Sequence, residues 1–200
     1  MVIILIKVVI FDIGGVTIKY PMHHVYRALE KKFKIDRKKI REKDLELDPV
    51  IETNKISLKE YWSRFAEGLG VDTSLFRKEY IKAFVDTAIL NKSVAKIIER
   101  VKKKYRVATI SNTMNLHEKI HRSKGHYKFF SRVFLSNKLG MRKPHREIYL
   151  YAIEKLNIKP PECVFIDDKQ ENVEGARKVG MKAILFKNVG QLEKDLKKYL

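Results

Sequence analysis

Hydrophobic and polar positions follow two different patterns along this chain. Short apolar runs that end abruptly at polar residues are typical of strands buried on both faces of a parallel sheet. Elsewhere the apolar residues recur at three- and four-residue spacing, which predicts amphipathic helices. The apolar runs predict strands at residues 3–11, 106–110, 133–135, 163–166 and 182–186.

Residues 20–85 have the helical pattern throughout. Helices are expected over residues 23–34 and, more weakly, 37–45. Residues 57–60 have the sequence of a capping box, and the helix that they begin should end at Gly70, because glycine commonly terminates helices.

Strands alternate with helices in the rest of the chain, which is typical of a parallel sheet with helices on both faces. The chain is therefore predicted to have an α/β core formed by residues 1–19 and 86–200. Residues 20–85 would form a small all-helical domain inserted into that core.

Composition narrows the class of protein. With 200 residues, 44% of them hydrophobic, the chain can form a sizeable core. Its one cysteine, Cys163, excludes an internal disulfide and lies in an apolar stretch, so we expect it to pack in the core. The N-terminal apolar run lacks the flanking residues of a signal peptide, and no run is long enough to span a membrane. We expect a cytoplasmic protein.

The formal net charge of +19 comes from 43 basic and 24 acidic residues. Such a field attracts phosphorylated substrates or nucleic acid. The abundance of Lys, Glu, Arg and Ile also fits a thermophilic source. No nucleic-acid-binding motif is recognisable, so a nucleic-acid partner is not expected despite the charge. The sequence does not determine the oligomeric state.

Polar residues stand where three of the predicted strands end, and a lysine precedes a proline in a loop between two of them. Because the carboxyl ends of parallel strands meet at one edge of a sheet, we expect these side chains to lie together. They are Asp12, Ser111 and Asn112, Asp167 and Asp168, and the loop lysine Lys143.

These residue types suit phosphoryl transfer. The Asp12 carboxylate can attack phosphorus and form an aspartyl-phosphate. Because carboxylates and phosphate repel each other, Mg²⁺ is expected between them, bound by Asp12, Asp168 and the carbonyl group of Gly14. Ser111 would donate a hydrogen bond to a phosphoryl oxygen, and Lys143 would neutralise charge on the phosphate and on Asp12.

Four motifs now stand in a recognisable order. They resemble those of the haloacid dehalogenase (HAD) superfamily of phosphohydrolases, and they span nearly the whole chain. The motifs are Phe11-Asp-Ile-Gly-Gly-Val16, Ile110-Ser-Asn112, Lys143-Pro144, and Phe165-Ile-Asp-Asp168 followed by Asn172-Val173 and Ala176.

The resemblance implies a Rossmann-like core with strand order 5-4-1-2-3 and a helical cap of the C1 type, the position that residues 20–85 occupy. It further implies roles for single residues. Asp12 would be the nucleophile, Ser111 and Asn112 would bind the substrate phosphate, and Lys143 would neutralise it. Asp168 would bind Mg²⁺ directly and Asp167 through water.

Asn172 is expected to fix the loop or to orient the metal ligands from the second shell of the metal. One position departs from the superfamily's commonest motif, in which a second Asp follows the nucleophile by two residues and acts as general acid and base. Here that residue is Gly14. The Phe-Asp-x-Gly-Gly-Val form resembles a branch near the epoxide-hydrolase N-terminal-like and sugar-phosphatase-like members.

Two functions follow from these motifs. The first is a Mg²⁺-dependent phosphatase, a phosphomonoesterase that cleaves a small phosphorylated metabolite through an aspartyl-phosphate on Asp12. Water, a cap side chain such as His23 or His24, or an easy leaving group could then compensate for Gly14. The alternative is a catalytically weak or silent HAD-fold protein that binds a phosphorylated ligand or partner.

Overall fold

A computed structural model describes residues 5–19 and 21–200. Its five strands form one parallel sheet in the order β3-β2-β1-β4-β5, which is the predicted order read from the opposite edge. The α/β fold class is thereby confirmed. The strands are β1 (Val8–Phe11), β2 (Arg106–Ser111), β3 (Arg132–Leu135), β4 (Cys163–Asp167) and β5 (Lys182–Leu185).

The central strand β1 is buried on both faces. Val9 and Phe11 belong to one hydrophobic cluster, and Val8 and Ile10 to the cluster on the other side of the sheet. Successive side chains of β1 therefore point to opposite faces of the sheet, and both faces are apolar, which explains the unbroken apolar run. Cys163 is also buried in this core, as predicted.

The first strand is shorter than the predicted span of residues 3–11. Val8 pairs with Arg106 and Cys163, which are the first residues of β2 and β4, so the neighbouring strands begin only there. Residues 5–7 precede the strand, and Leu5 is 72% exposed. Residues 3 and 4 lie outside the described residues.

Four consecutive helices follow β1 in the chain and pack on one another. They are α1 (Pro21–Phe33), α2 (Arg37–Ile51), α3 (Leu58–Leu69) and α4 (Thr73–Thr87). Ser57 caps α3 through the Glu60 N–H, and Gly70 ends it in the left-handed conformation, both as predicted. We call α1–α4 the helical cap; its treatment as a separate domain with residue 85 as its end stays a prediction.

The second cap helix continues beyond the predicted end near residue 45. It runs to Ile51 even though Pro49 lies inside it. A proline removes one backbone hydrogen bond from a helix, which is unfavourable by about 3 kcal/mol or more. Leu47 and Ile51 are buried, and we attribute the continuation of the helix to this tertiary burial, which the local sequence does not show.

The remaining helices accompany the sheet. They are α5 (Lys92–Lys102), α6 (Asn115–Ser123), the short α7 (Ser136–Leu139), α8 (Arg146–Leu156), α9 (Gln170–Lys178) and α10 (Val189–Leu196). A 3₁₀ turn, Pro160–Glu162, precedes β4. Of the helices in the described part of the chain, none combines the length and the hydropathy that crossing a membrane requires.

Candidate active site

Three neighbouring strands deliver polar side chains to one edge of the sheet. Asp12 directly follows β1, Ser111 is the last residue of β2, and Asp167 is the last residue of β4. Because β1 lies between β2 and β4 and all three strands are parallel, these residues meet where the sequence placed them. Asp12 is buried, with 7% of its surface exposed.

Lys143 reaches this strand edge from the loop before α8. Its Nζ lies 2.7 Å from Asp12 Oδ1 and 2.6 Å from Asp167 Oδ2, and the residue is 1% exposed. One ammonium group therefore joins two carboxylates from different strands. The other oxygen of Asp12, Oδ2, makes no hydrogen bond with any residue that the structure describes.

Asn112 holds the backbone of Lys143. Its Nδ2 donates to the Lys143 carbonyl at 2.9 Å, and its Oδ1 accepts from the Lys143 N–H at 2.9 Å. The side-chain amide thus positions the lysine, a contact that the sequence did not reveal. A role of Asn112 in phosphate binding stays a prediction. Ser111 lines the cavity in front of these residues.

The two adjacent aspartates have different surroundings. Asp167 is fully buried, and both of its oxygens accept hydrogen bonds, from Lys143, the Lys169 N–H and Asn172 Nδ2. Asn172 therefore contacts a carboxylate at the strand edge, and its predicted role in fixing the loop or supporting the metal ligands stays a prediction. In contrast, Oδ1 of Asp168 is buried without a partner among the described residues. This orphaned oxygen is the one suited to binding a cation directly.

The carboxylates form a site that fits a hard divalent cation. Single ligand oxygens of Asp12, Asp167 and Asp168 lie within 4.8 Å of one another. Burial raises the pKa of Asp12 to about 7; Lys143 opposes this shift, and Asp167 and Asp168 add to it. Because a cation would favour the ionised form and Mg²⁺ prefers oxygen ligands, the donor set fits Mg²⁺.

The turn after β1 contains two glycines with different surroundings. Gly15 has φ +82°, and a Cβ there would come within 2.4 Å of Asp168 Oδ2, so a side chain at this position would displace that carboxylate. At Gly14, a Cβ would meet no heavy atom within 4 Å. Steric exclusion therefore does not account for the missing aspartate at position 14.

A cavity of about 380 Å³ lies between the strand edge and the helical cap. His23 lines it, whereas His24 is not among its lining residues. Several cap residues that also line it were not predicted from the sequence. Three of them are acidic and follow one another at four-residue spacing along and just after α2, and this spacing was the available signal. The missed lining residues include Tyr26, Asp44, Asp48, Glu52 and, from α6, His117.

Mg²⁺ affinity is expected to rise with pH up to about 7 and to level off above it. The raised pKa of Asp12 means that a proton competes with the metal below that pH, and binding must displace it. Isothermal titration calorimetry between pH 5.5 and 8 would measure this. An affinity independent of pH would contradict the assignment of Asp12 as a ligand.

Comparison with known proteins agrees with this geometry. A family model described as haloacid dehalogenase-like hydrolase matches residues 6–180. Flavin mononucleotide hydrolase 1 of Arabidopsis thaliana is 41% identical over 68 residues, which are 34% of this chain and 28% of that protein. A glyceraldehyde 3-phosphate phosphatase of Methanothermobacter thermautotrophicus is 34% identical over 103 residues, 50% of this chain and 45% of that protein. The matches thus span less than half the length of these curated relatives.

Solved structures show the same fold. A HAD family enzyme of Bacteroides thetaiotaomicron superposes with a TM-score of 0.75 at 23% identity, covering 92% of this chain and 94% of that one. A mutant of that enzyme, solved with magnesium and inorganic phosphate, gives a TM-score of 0.73 at 23% identity, over 91% and 94% of the two chains. At this identity the likeness shows the fold alone. The family model, which covers most of the chain, shows more: this protein belongs to the haloacid dehalogenase-like hydrolase family.

Proposed function

We propose that this hydrolase is a Mg²⁺-dependent phosphomonoesterase that acts on a small phosphorylated metabolite. The observation that carries the proposal is the state of Asp12. Lys143 fixes one of its oxygens, and the other oxygen, beside the cavity, accepts no hydrogen bond from the described part of the chain. Phosphatases among the relatives support the same class of reaction, and their names specify small substrates.

The residues divide the reaction between them. Asp12 Oδ2 attacks phosphorus, the ester oxygen leaves with the bonding electrons and takes a proton from water, and a second water then hydrolyses the aspartyl-phosphate. Lys143 neutralises charge that develops on the transferred group, and Ser111 donates a hydrogen bond to it. Bound Mg²⁺, held by Asp12, Asp168 and the Gly14 carbonyl, would supply further charge stabilisation. Asp167 would act through water and through its contact with Lys143.

Hydrolysis of p-nitrophenyl phosphate tests the proposal directly. This ester has a good leaving group, so it needs little help from the proton donor that position 14 lacks. We expect turnover with Mg²⁺ and its loss in EDTA, with recovery when Mg²⁺ is added back in excess. No turnover under any of these conditions would contradict a phosphatase and favour the silent binding protein.

Replacing Gly14 with Asp is expected to increase hydrolysis of alkyl phosphates, whose leaving groups are poor. The open space at position 14 can accept the side chain, and general acid catalysis contributes typically about 10²–10⁴-fold. The ratio of kcat/KM for glycerol phosphate to that for p-nitrophenyl phosphate should rise by about tenfold or more.

Gly14→Asn is the matched control, because it fills the same space without an acidic proton. If Asn raised the ratio as much as Asp, the gain would come from packing and not from proton transfer. If neither variant changed it, another group already supplies the proton.

The silent alternative rests on Gly14 alone. It predicts that phosphate or a phosphate ester with Mg²⁺ stabilises the fold against heat without being turned over. A cytoplasmic location, a thermophilic source and the absence of a nucleic-acid partner stay predictions from the sequence.

A further inference from the structure

Three acidic residues line the cap side of the cavity, together with Arg41. Asp44 and Asp48 in α2 and Glu52, the residue that caps its C-terminus, follow one another at four-residue intervals, and residues at this spacing lie on the same side of a helix. All three line the cavity that opens onto Asp12 and Asp168. In a chain with a formal net charge of +19, this concentration of carboxylates is a specific local feature.

Two of these carboxylates form no ion pair with the residues that the structure describes, although Arg41 and Lys169 also line the cavity. Glu52 forms an ion pair with Arg142 at 2.8 Å. Asp44 is only 3% exposed, yet its hydrogen bonds come from neutral donors, the hydroxyls of Tyr26 at 2.6 Å and Tyr61 at 2.7 Å. Asp48 makes no hydrogen bond or ion pair with the residues that the structure describes. A buried carboxylate that forms no ion pair, such as Asp44, is costly unless something supplies a countercharge.

Aromatic rings surround the same part of the cavity. Tyr26, Tyr61, Tyr80 and Phe84 line it and are buried. The faces of such rings attract ammonium groups, and the attraction strengthens where water is excluded. This observation is independent of the carboxylates, and together the two describe a site for an organic cation.

The protonation of the carboxylates supports this interpretation. Burial raises the pKa of Asp44 to about 6 and that of Asp48 well above its usual value. Asp48 is faced by Asp44 of α2 and by Glu52 just after it, which raise its pKa further, and by Lys169 and Arg142, which lower it. Without a bound cation, protonation reduces the repulsion between these carboxylates. A bound ammonium group would supply positive charge instead of the protons.

We infer that the natural substrate is a phosphomonoester whose organic part carries an amine, with the ammonium group bound between Asp44, Asp48 and the aromatic wall. This inference rests on the proposed function, because the phosphate is taken to occupy the Asp12 end of the same cavity. The Asp44–Asp48 end then selects among phosphate esters by charge.

Two esters of nearly equal size test the inference, 2-aminoethyl phosphate and 2-hydroxyethyl phosphate. They differ only in an ammonium group in place of a hydroxyl. We expect kcat/KM to favour the amine by about tenfold or more, because a buried charge pair contributes more than a neutral hydrogen bond. Asp48→Asn should lower that preference several-fold. Glu42→Gln, which removes a charge from the exposed side of the same helix, should leave it unchanged.

Each outcome decides the matter. Turnover of both esters at equal rates, or a preference for the hydroxyl, would overturn the inference and leave the proposed phosphatase standing. If neither these esters nor p-nitrophenyl phosphate were hydrolysed, the proposed function would fail. Calorimetric titration of the two esters with Mg²⁺ would then test the cation site on its own. Tighter binding of the amine, reduced by Asp48→Asn, would support the cation site; equal binding would refute it.

Discussion

Replacing Asp12 with Asn is expected to abolish Mg²⁺-dependent hydrolysis of p-nitrophenyl phosphate. The amide cannot attack phosphorus, so kcat should fall by about 10³-fold or more. The fold should survive, because Lys143 keeps its contact with Asp167 at 2.6 Å. Steady-state kinetics and a thermal melt of the same preparation would measure both effects.

Asp86→Asn is the matched control. Asp86 is exposed on α4, and the same change of charge there should leave kcat unchanged. Brief incubation of the wild-type protein with substrate, followed by acid quenching and mass spectrometry, should reveal a phosphorylated peptide containing Asp12. Retention of activity by Asp12→Asn would refute the nucleophile.

Replacing Lys143 with Met is expected to cost both activity and stability. The ammonium group is buried between Asp12 and Asp167, and its removal leaves two carboxylates without a cation. Breaking a buried pair in this way typically costs about 3–5 kcal/mol, so the free energy of unfolding in urea should fall by about that amount. Excess Mg²⁺ should restore part of the stability, because it supplies positive charge to the same carboxylates.

Lys119→Met serves as the control, since Lys119 is an exposed lysine on α6. Its unfolding free energy should stay within about 0.5 kcal/mol of the wild type. If Lys143→Met were equally harmless, the two short contacts of Lys143 would not contribute to the fold. Loss of activity without loss of stability would restrict the lysine to the reaction.

These two predictions show that the site and the fold share residues. Asn112 contacts the main chain of Lys143, Lys143 joins β1 to β4 through Asp12 and Asp167, and Asn172 fixes Asp167. The contacts of Lys143 join residues that are far apart in the chain, whereas Asn172 contacts Asp167 from the next helix. A substitution at any of them therefore tests geometry as well as chemistry, which is why a melt must accompany every activity measurement.

The strands could be predicted from local signals, and their order in the sheet from the family that the motifs identify. Apolar runs mark the strands, polar residues mark their ends, and four motifs in sequence identify the family. The exact ends of strands and helices were harder to predict. The first strand begins at Val8 because its neighbours begin opposite it, and α2 passes through Pro49, where its next turn is buried.

The sequence by itself determined the fold class, the family and which residue types meet at the strand edge, because patterns of three to ten residues carry that information. Only the tertiary structure decided how those residues are paired. The contact between Lys143 and Asp12 joins positions 131 residues apart, and only the fold shows that Oδ1 of Asp168 is buried with no partner among the residues that are described. The acidic wall of Asp44 and Asp48 became visible only when the helical cap was placed over the strand edge, because which side of a helix faces a cavity depends on what that helix packs against.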